Sequence, residues 1–443
     1  MEKQKRVMKG ERVNVIAVIS PPKKIKGEIT PPGDKSISHR AAILSALARG
    51  TSSLENFLTA EDCMRTVNCL RSLGVKINVE GDNLEVEGRN LGFKSSSTIL
   101  NAGNSGTTAR LLLGVLSGQP FWSRIRGDAS LSRRPMLRVV DPLREMGAAI
   151  TGKEEGNKLP LRVKGGKLTS IDYQMKVASA QVKSAILLAS LFAEGKTRIH
   201  EAELTRDHTE IMMEHMGFPL KREARYIELE GPVPSYEAVE IRIPGDFSSA
   251  VFFAVAASVV PGSELLIKDV GVNHTRIGAL EVLRQMGASV EMLDFRHYGS
   301  EPVTDLLVKG DSKLKGVTVE GEMIPRMIDE IPAVCVAALA AEGRTVIKGA
   351  EELRVKETDR IAALVQELGR LGAGVQERED GIEIEGGIPL KGNKCSSHGD
   401  HRMAMALAVA GMMAEGDTGI ENFEAVQISY PGFMQDLRYL IEK

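Results

Sequence analysis

Leu143-Arg144-Glu145-Met146-Gly147 decides the reading of the fold, because the chain repeats it with small changes. Its echoes are Leu70-Arg71-Ser72-Leu73-Gly74, Met213-Glu214-His215-Met216-Gly217, Leu283-Arg284-Gln285-Met286-Gly287 and Leu368-Gly369-Arg370-Leu371-Gly372. Each closes an amphipathic helix. Ahead of the first-quoted word, Met136, Val139, Val140, Leu143 and Met146 share one face, and Arg138, Asp141 and Arg144 the other. The final glycine suits a left-handed helix end, where a Cβ would clash. A further helix over 434–441 lacks the closing word. Working outward, each amphipathic helix is preceded by an Ala-rich, almost wholly apolar helix and a strand. The apolar helices lie at 39–48, 107–116, 182–192, 248–259, 331–341 and 402–413, with breaks at Gly50, Gly118, Gly195, Gly262, Gly343 and Gly416. The period is roughly 70 residues, a repeat architecture. An all-round apolar helix must be buried, so helices are expected inside and sheets outside, three repeats to a globule.

At 443 residues the chain exceeds one ordinary core of roughly 150 residues. The reading is an α/β protein of two similar domains: 33–245 and 246–443, with 1–32 a tail and strand belonging with the second. Residues 1–12 are basic without an apolar signal core and read as a frayed tail. Lys+Arg at 57 against Asp+Glu at 59 gives a net charge of −2, which argues against a general nucleic-acid binder but not against a local basic pocket. The longest apolar run, 250–260, falls short of the roughly 20 residues of a membrane span. Cys63, Cys69, Cys335 and Cys395 form no CxxC pair, so a reducing cytoplasm is expected.

Polar words stand at the mouths of the helices: Gly33-Asp34-Lys35-Ser36-Ile37-Ser38-His39-Arg40, Asn104-Ser105-Gly106-Thr107-Thr108-Ala109-Arg110, Ser179-Ala180-Gln181, Gly245-Asp246, Asp329-Glu330 and Asp400-His401-Arg402. Two amphipathic helices are expected to open with Leu131-Ser132-Arg133-Arg134-Pro135 and with 353–360. Helix amino termini carry unpaired N–H groups and partial positive charge, and Arg and Lys add full charge. Converging mouths would make a pocket for phosphate and carboxylate groups. Each also has a plainer reading. Ser, Thr and Asp cap helices, Asp329 with Glu330 could cap the fifth apolar helix, and Lys356 and Glu357 could be solvated. Lys35-Ser36 lacks the GxxxxGK spacing of a P-loop, and His39, His398 and His401 lack a ligand spacing for metal.

These words, in this order over 33–433, resemble the 5-enolpyruvylshikimate-3-phosphate (EPSP) synthase family; 356–360 and 400–404 are the most specific. The resemblance implies two domains of three βαβαββ units closing on substrates at a hinge. It also implies enolpyruvyl transfer from phosphoenolpyruvate to the 5-hydroxyl of shikimate 3-phosphate, with no cofactor or metal, no nucleic-acid or membrane partner, and a monomer. By that resemblance Asp329 is the base and Glu357 handles the proton at the methylene carbon. Lys35, Gly106, Arg134, Gln181, Arg360 and Arg402 hold phosphoenolpyruvate, with Lys35 also counted as catalytic. Lys35, Ser36, Arg40, Ser179, Ala180, Gln181, Asp329 and Lys356 hold shikimate 3-phosphate, and His401 lies near the leaving phosphate. The chain departs from the family in having no Lys in 427–432 and in Ser179-Ala180-Gln181, where other members have Ser-Ser-Gln. With Gly106 present, competition by glyphosate is expected. Two rivals are an enolpyruvyl transferase acting on UDP-N-acetylglucosamine, which would want a reactive loop cysteine, and an anion-binding protein without catalysis.

Overall fold

The computed structural model describes residues 15–441; the tail at 1–12 lies outside them. The described chain forms two compact units. One, here the N-terminal unit, comprises 33–244 with 297–301; the other, the C-terminal unit, comprises 15–32, 245–296 and 302–441.

Helices of the N-terminal unit are α1 (Lys35–Leu47), α2 (Glu61–Ser72), α3 (Gly106–Ser117), α4 (Leu137–Glu145), α5 (Ala180–Ser190) and α6 (His208–His215). Those of the C-terminal unit are α7 (Phe247–Val259), α8 (Gly278–Gln285), the short α9 (Met323–Met327), α10 (Ile331–Leu339), α11 (Arg360–Arg370), α12 (His401–Gly411) and α13 (Phe433–Ile441). α1, α3 and α5 form the buried centre of the first unit, and α7, α10 and α12 that of the second. Every residue of α12 is buried. The amphipathic α4 buries Val139, Val140, Pro142 and Leu143 and turns its charges outward. The closing glycines Gly74, Gly147, Gly217, Gly287 and Gly372 all have φ between 82° and 106°. In each the following N–H reaches back to the helix, as Ala148 does to Leu143. That backbone is cheap only without a Cβ, which explains the repeated word.

Among the described residues six sheets surround the helices. A representative one orders Glu240–Arg242, Thr51–Glu55, Asn83–Glu87 and Lys76–Glu80, the first pair parallel and the rest antiparallel. Along Asn83–Glu87, Leu84 and Val86 face the helices while Asn83, Glu85 and Glu87 face out, the alternation of a half-buried strand. The C-terminal unit uses the early chain: Lys26–Ile29 pairs parallel with 264–267, and Ala17–Ile19 antiparallel with 418–420. No described helix is long and apolar enough to cross a membrane.

Two expected helix starts are corrected. Leu131–Arg133 and Glu351–Val355 are separate 3-10 turns; the helices behind them begin at Leu137 and Arg360. Pro135 lacks the N–H a continuing helix needs, and at the second site Asp359 caps α11 by accepting from Ala362 N.

Candidate functional site

In the N-terminal unit, side chains at the starts of α1, α3 and α5 meet at one end. Asp34, Ser105 and Ser179 cap the three helices with their own side chains. Thr107 on α3 accepts from Gln181 Nε2 on α5 at 2.8 Å. His39 Nδ1 on α1 reaches Thr66 Oγ1 at 2.7 Å, and Thr66 reaches Thr108 on α3, also at 2.7 Å. Burial, with Lys35 and Arg40 adding like charge, pushes the His39 pKa well down, so its imidazole is neutral and serves the framework. Lys35 pairs with Asp62 at 2.5 Å.

Gly106 opens α3 between two guanidiniums: a Cβ there would stand 3.2 Å from Arg110 Nη1 and 3.5 Å from Arg134 Nη1. Arg134, 7% exposed, is delivered by the 3-10 turn that Asp128 pins through Leu131 N at 2.8 Å. Its Nη2 donates to Asn104, which in turn donates to Asp128. Arg110 donates to the Gln181 carbonyl oxygen at 2.5 Å and to Pro135 O at 3.0 Å. Lys35, Gly106, Arg134 and Gln181 therefore gather around the α3 mouth, with Ser36, Ser179 and Ala180 half-buried at the neighbouring ones. Arg40 is 4% exposed and sits one turn into α1, donating to Thr209, Ser184 and Ser36 O. Burial lowers its pKa to about 10, with Glu210 and Asp34 opposing, so it stays charged at neutral pH.

In the C-terminal unit the centre is Arg360, 1% exposed at the start of α11. Its guanidinium meets Asp400 at 2.8 Å, Glu357 at 2.7 Å and Asp329 at 3.4 Å. Burial disfavours its charge, but these carboxylates outweigh that and hold its pKa above the ordinary arginine value. Lys356 Nζ stands 3.6 Å from Asp329. Asp329 is thus no helix cap: α10 begins with Glu330 at the cap position and no side-chain cap bond, and Asp329 faces two cations. Nor are Lys356 and Glu357 solvated helix charges; they lie before α11, with side chains 23% and 14% exposed. Asp400 caps α12 through Arg402 N and Met403 N. Arg402 is 6% exposed, and its guanidinium has no hydrogen-bond or ion-pair partner among the described residues. His401 is buried beside it.

Sequence reasoning missed Arg110, Asp62 and Asp400 as site residues. Arg110 carried a signal, since it follows Gly106 by four residues and shares its helix face. Asp62 and Asp400 reveal their cations only through contacts 27 and 40 residues apart. Gln427–Gly432, where the family lysine is missing, instead buries Tyr430, whose hydroxyl donates to Asp436 at 2.6 Å. Among the described residues no group of three or more His, Cys, Asp or Glu could hold a metal ion.

The profile of the family EPSP synthase (3-phosphoshikimate 1-carboxyvinyltransferase) matches residues 19–437. This chain belongs to the EPSP synthase family. A family member from Desulforamulus reducens, named 3-phosphoshikimate 1-carboxyvinyltransferase, is 50% identical over 96% of this chain and 99% of its own. A similarly named protein of Pelotomaculum thermopropionicum is 52% identical over 92% of this chain and 95% of its own. The solved structure of EPSP synthase from Acinetobacter baumannii superposes with a TM-score of 0.85 at 42% identity, covering 96% of this chain and 98% of that one. The mixed α/β architecture is therefore that of the enolpyruvyl transferases.

Proposed function

We propose that this protein transfers the enolpyruvyl group of phosphoenolpyruvate to the 5-hydroxyl of shikimate 3-phosphate, releasing phosphate, by addition and elimination through a tetrahedral intermediate. Both substrates carry phosphate and carboxylate, and the observation that carries the reading is Arg402: a cation only 6% exposed, with no partner for its guanidinium among the described residues. A buried charge is costly unless paired, so Arg402 fits a site whose anion arrives as substrate. Phosphoenolpyruvate is held by Lys35, Gly106, Arg134, Gln181, Arg360 and Arg402, and Arg110 joins them by its place at Gly106. Shikimate 3-phosphate is held by Lys35, Ser36, Arg40, Ser179, Ala180, Gln181 and Lys356, with Asp329 at the 5-hydroxyl.

The chemistry asks for one base and one acid. Protonation of the methylene makes the adjacent carbon electrophilic while the 5-hydroxyl loses its proton and attacks. Asp329 takes that hydroxyl proton. Glu357 delivers the proton to the methylene and takes one back from the methyl as phosphate leaves; its hydrogen bond from Arg360 fixes where it points. The clamping cations stabilise the leaving phosphate, with His401 beside it.

The rival substrate UDP-N-acetylglucosamine wants a reactive loop cysteine, and all four cysteines here are buried, with the Cys69 thiol pushed up to about 12 by burial. A reducing cytoplasm suits such thiols. The test is release of inorganic phosphate from phosphoenolpyruvate with and without shikimate 3-phosphate. Release that depends on shikimate 3-phosphate is expected; release that ignores it, or switches on with UDP-N-acetylglucosamine, would sink the reading.

A further inference from the structure

We infer that Ser184 and Thr209 are positioning residues for shikimate 3-phosphate, fixing the plane of the Arg40 guanidinium before the substrate arrives. This rests on the placing of Arg40 at the shikimate 3-phosphate side. Arg40 Nε donates to Thr209 Oγ1 at 2.6 Å, Nη2 to Ser184 Oγ at 2.8 Å and Nη1 to Ser36 O at 2.9 Å. The two hydroxyl oxygens stand 2.7 Å apart, so they also bond to each other. A guanidinium has five N–H donors in a rigid fork. Three are used here, each nitrogen is held once, and one N–H on each Nη is left for an anion.

What sets the spacing of the two hydroxyls lies one residue along each helix. Lys183 precedes Ser184 on α5 and Glu210 follows Thr209 on α6, and these two form an ion pair at 2.7 Å with both side chains 1% exposed. Glu201 meets the same ammonium at 2.9 Å and is itself tied down by Thr205 N and Oγ1. Glu201 and Glu210 face the Lys183 ammonium, and Glu210 with Asp34 also opposes the burial that disfavours the Arg40 charge. The carboxylates keep Lys183 charged: its pKa rises although burial alone would lower it. Ser184 lies one turn beyond Ser179, Ala180 and Gln181 on α5, so the same bonds lock Arg40 in register with the half-buried α5 mouth. An arginine ordered in advance spares the ligand the cost of immobilising it.

The experiment is substrate titration and steady-state kinetics on full-length Thr209→Val, Thr209→Ser, Ser184→Ala and Arg40→Ala, and on Thr209→Val combined with Arg40→Ala. Thr209→Val keeps the shape and removes the acceptor. It is expected to weaken shikimate 3-phosphate binding about tenfold, the loss of one hydrogen bond to a charged donor. The phosphoenolpyruvate KM and kcat should stay near wild type. Thr209→Ser should restore binding, Ser184→Ala should repeat the defect, and Thr209→Val should add nothing once Arg40 is Ala. Unchanged shikimate 3-phosphate affinity, equal changes for both substrates, or a full effect without Arg40 would overturn the inference. If Thr209→Val does not fold, Ser184→Ala decides by the same criteria. If Arg40→Ala itself leaves shikimate 3-phosphate binding intact, the placing of Arg40 falls and this inference with it.

Discussion

Gly106 has ordinary helical backbone, so its value is space alone: a methyl there lies 3.2 Å and 3.5 Å from two arginine nitrogens and 3.6 Å from Leu131 Cδ1. The nearest guanidinium must yield by a few tenths of an ångström, and it is braced by Gln181 and Pro135. Gly106→Ala is expected to raise the phosphoenolpyruvate KM by roughly tenfold, the worth of one charged hydrogen bond, while leaving the shikimate 3-phosphate KM near wild type. Glyphosate, a longer phosphonate–carboxylate, should lose more than phosphoenolpyruvate does; inhibition constants and KM rising by the same factor would refute the steric account. At this scale much was legible. Lys35, Gly106, Arg134, Asp329, Glu357, Arg360 and Arg402 stand at or just before helix starts, where local patterning places them. Their partners were not legible, because an ion pair such as Arg360 with Asp400 is made by tertiary folding and leaves no local mark.

Between elements, α3 approaches α5 closely in the N-terminal unit. A Cβ on Gly114 would lie 2.3 Å from the Ala185 carbonyl oxygen, a backbone atom that cannot swing aside. Helix propensity alone favours Gly114→Ala by about 1 kcal/mol. Overpacking against backbone costs about 1–3 kcal/mol and wins here. The variant should therefore lose up to about 2 kcal/mol in denaturant unfolding and up to roughly 8 °C in Tm. A Tm at or above wild type would show that the helices part freely. The sequence displayed the glycine within an apolar helix but not the carbonyl facing it. It displayed the five closing words better, since a left-handed helix end is a local demand, whereas the true starts of α4 and α11 depended on Asp128 holding the turn before the one and Asp359 capping the other.

For the whole molecule, the repeats announce how many helices and strands to expect, but not which strand completes which sheet. Thr51–Glu55 finds its parallel neighbour in Glu240–Arg242, nearly 190 residues later, and 264–267 finds one in Lys26–Ile29. These pairings make the two units unequal as pieces of chain. The core of the N-terminal unit draws only on residues between Ile37 and Ile243, and its sheets close within 33–244. The core of the C-terminal unit includes Ala17, Ile19, Ile25 and Ile29, and the Ile25 N–H is bonded to Ser263 Oγ at 2.9 Å. A fragment of 33–244 is therefore expected to unfold in one cooperative transition, while 245–443 is not. Losing three buried isoleucines at about 1.5–3 kcal/mol each removes roughly 5–9 kcal/mol, comparable with the whole stability of an ordinary domain. Fusing 15–32 to 245–443 should restore cooperativity, because it returns both the edge strands and the buried side chains. Calorimetry and near-ultraviolet circular dichroism on the three pieces decide the matter: a cooperative 245–443 without the early chain would show those strands to be ornamental.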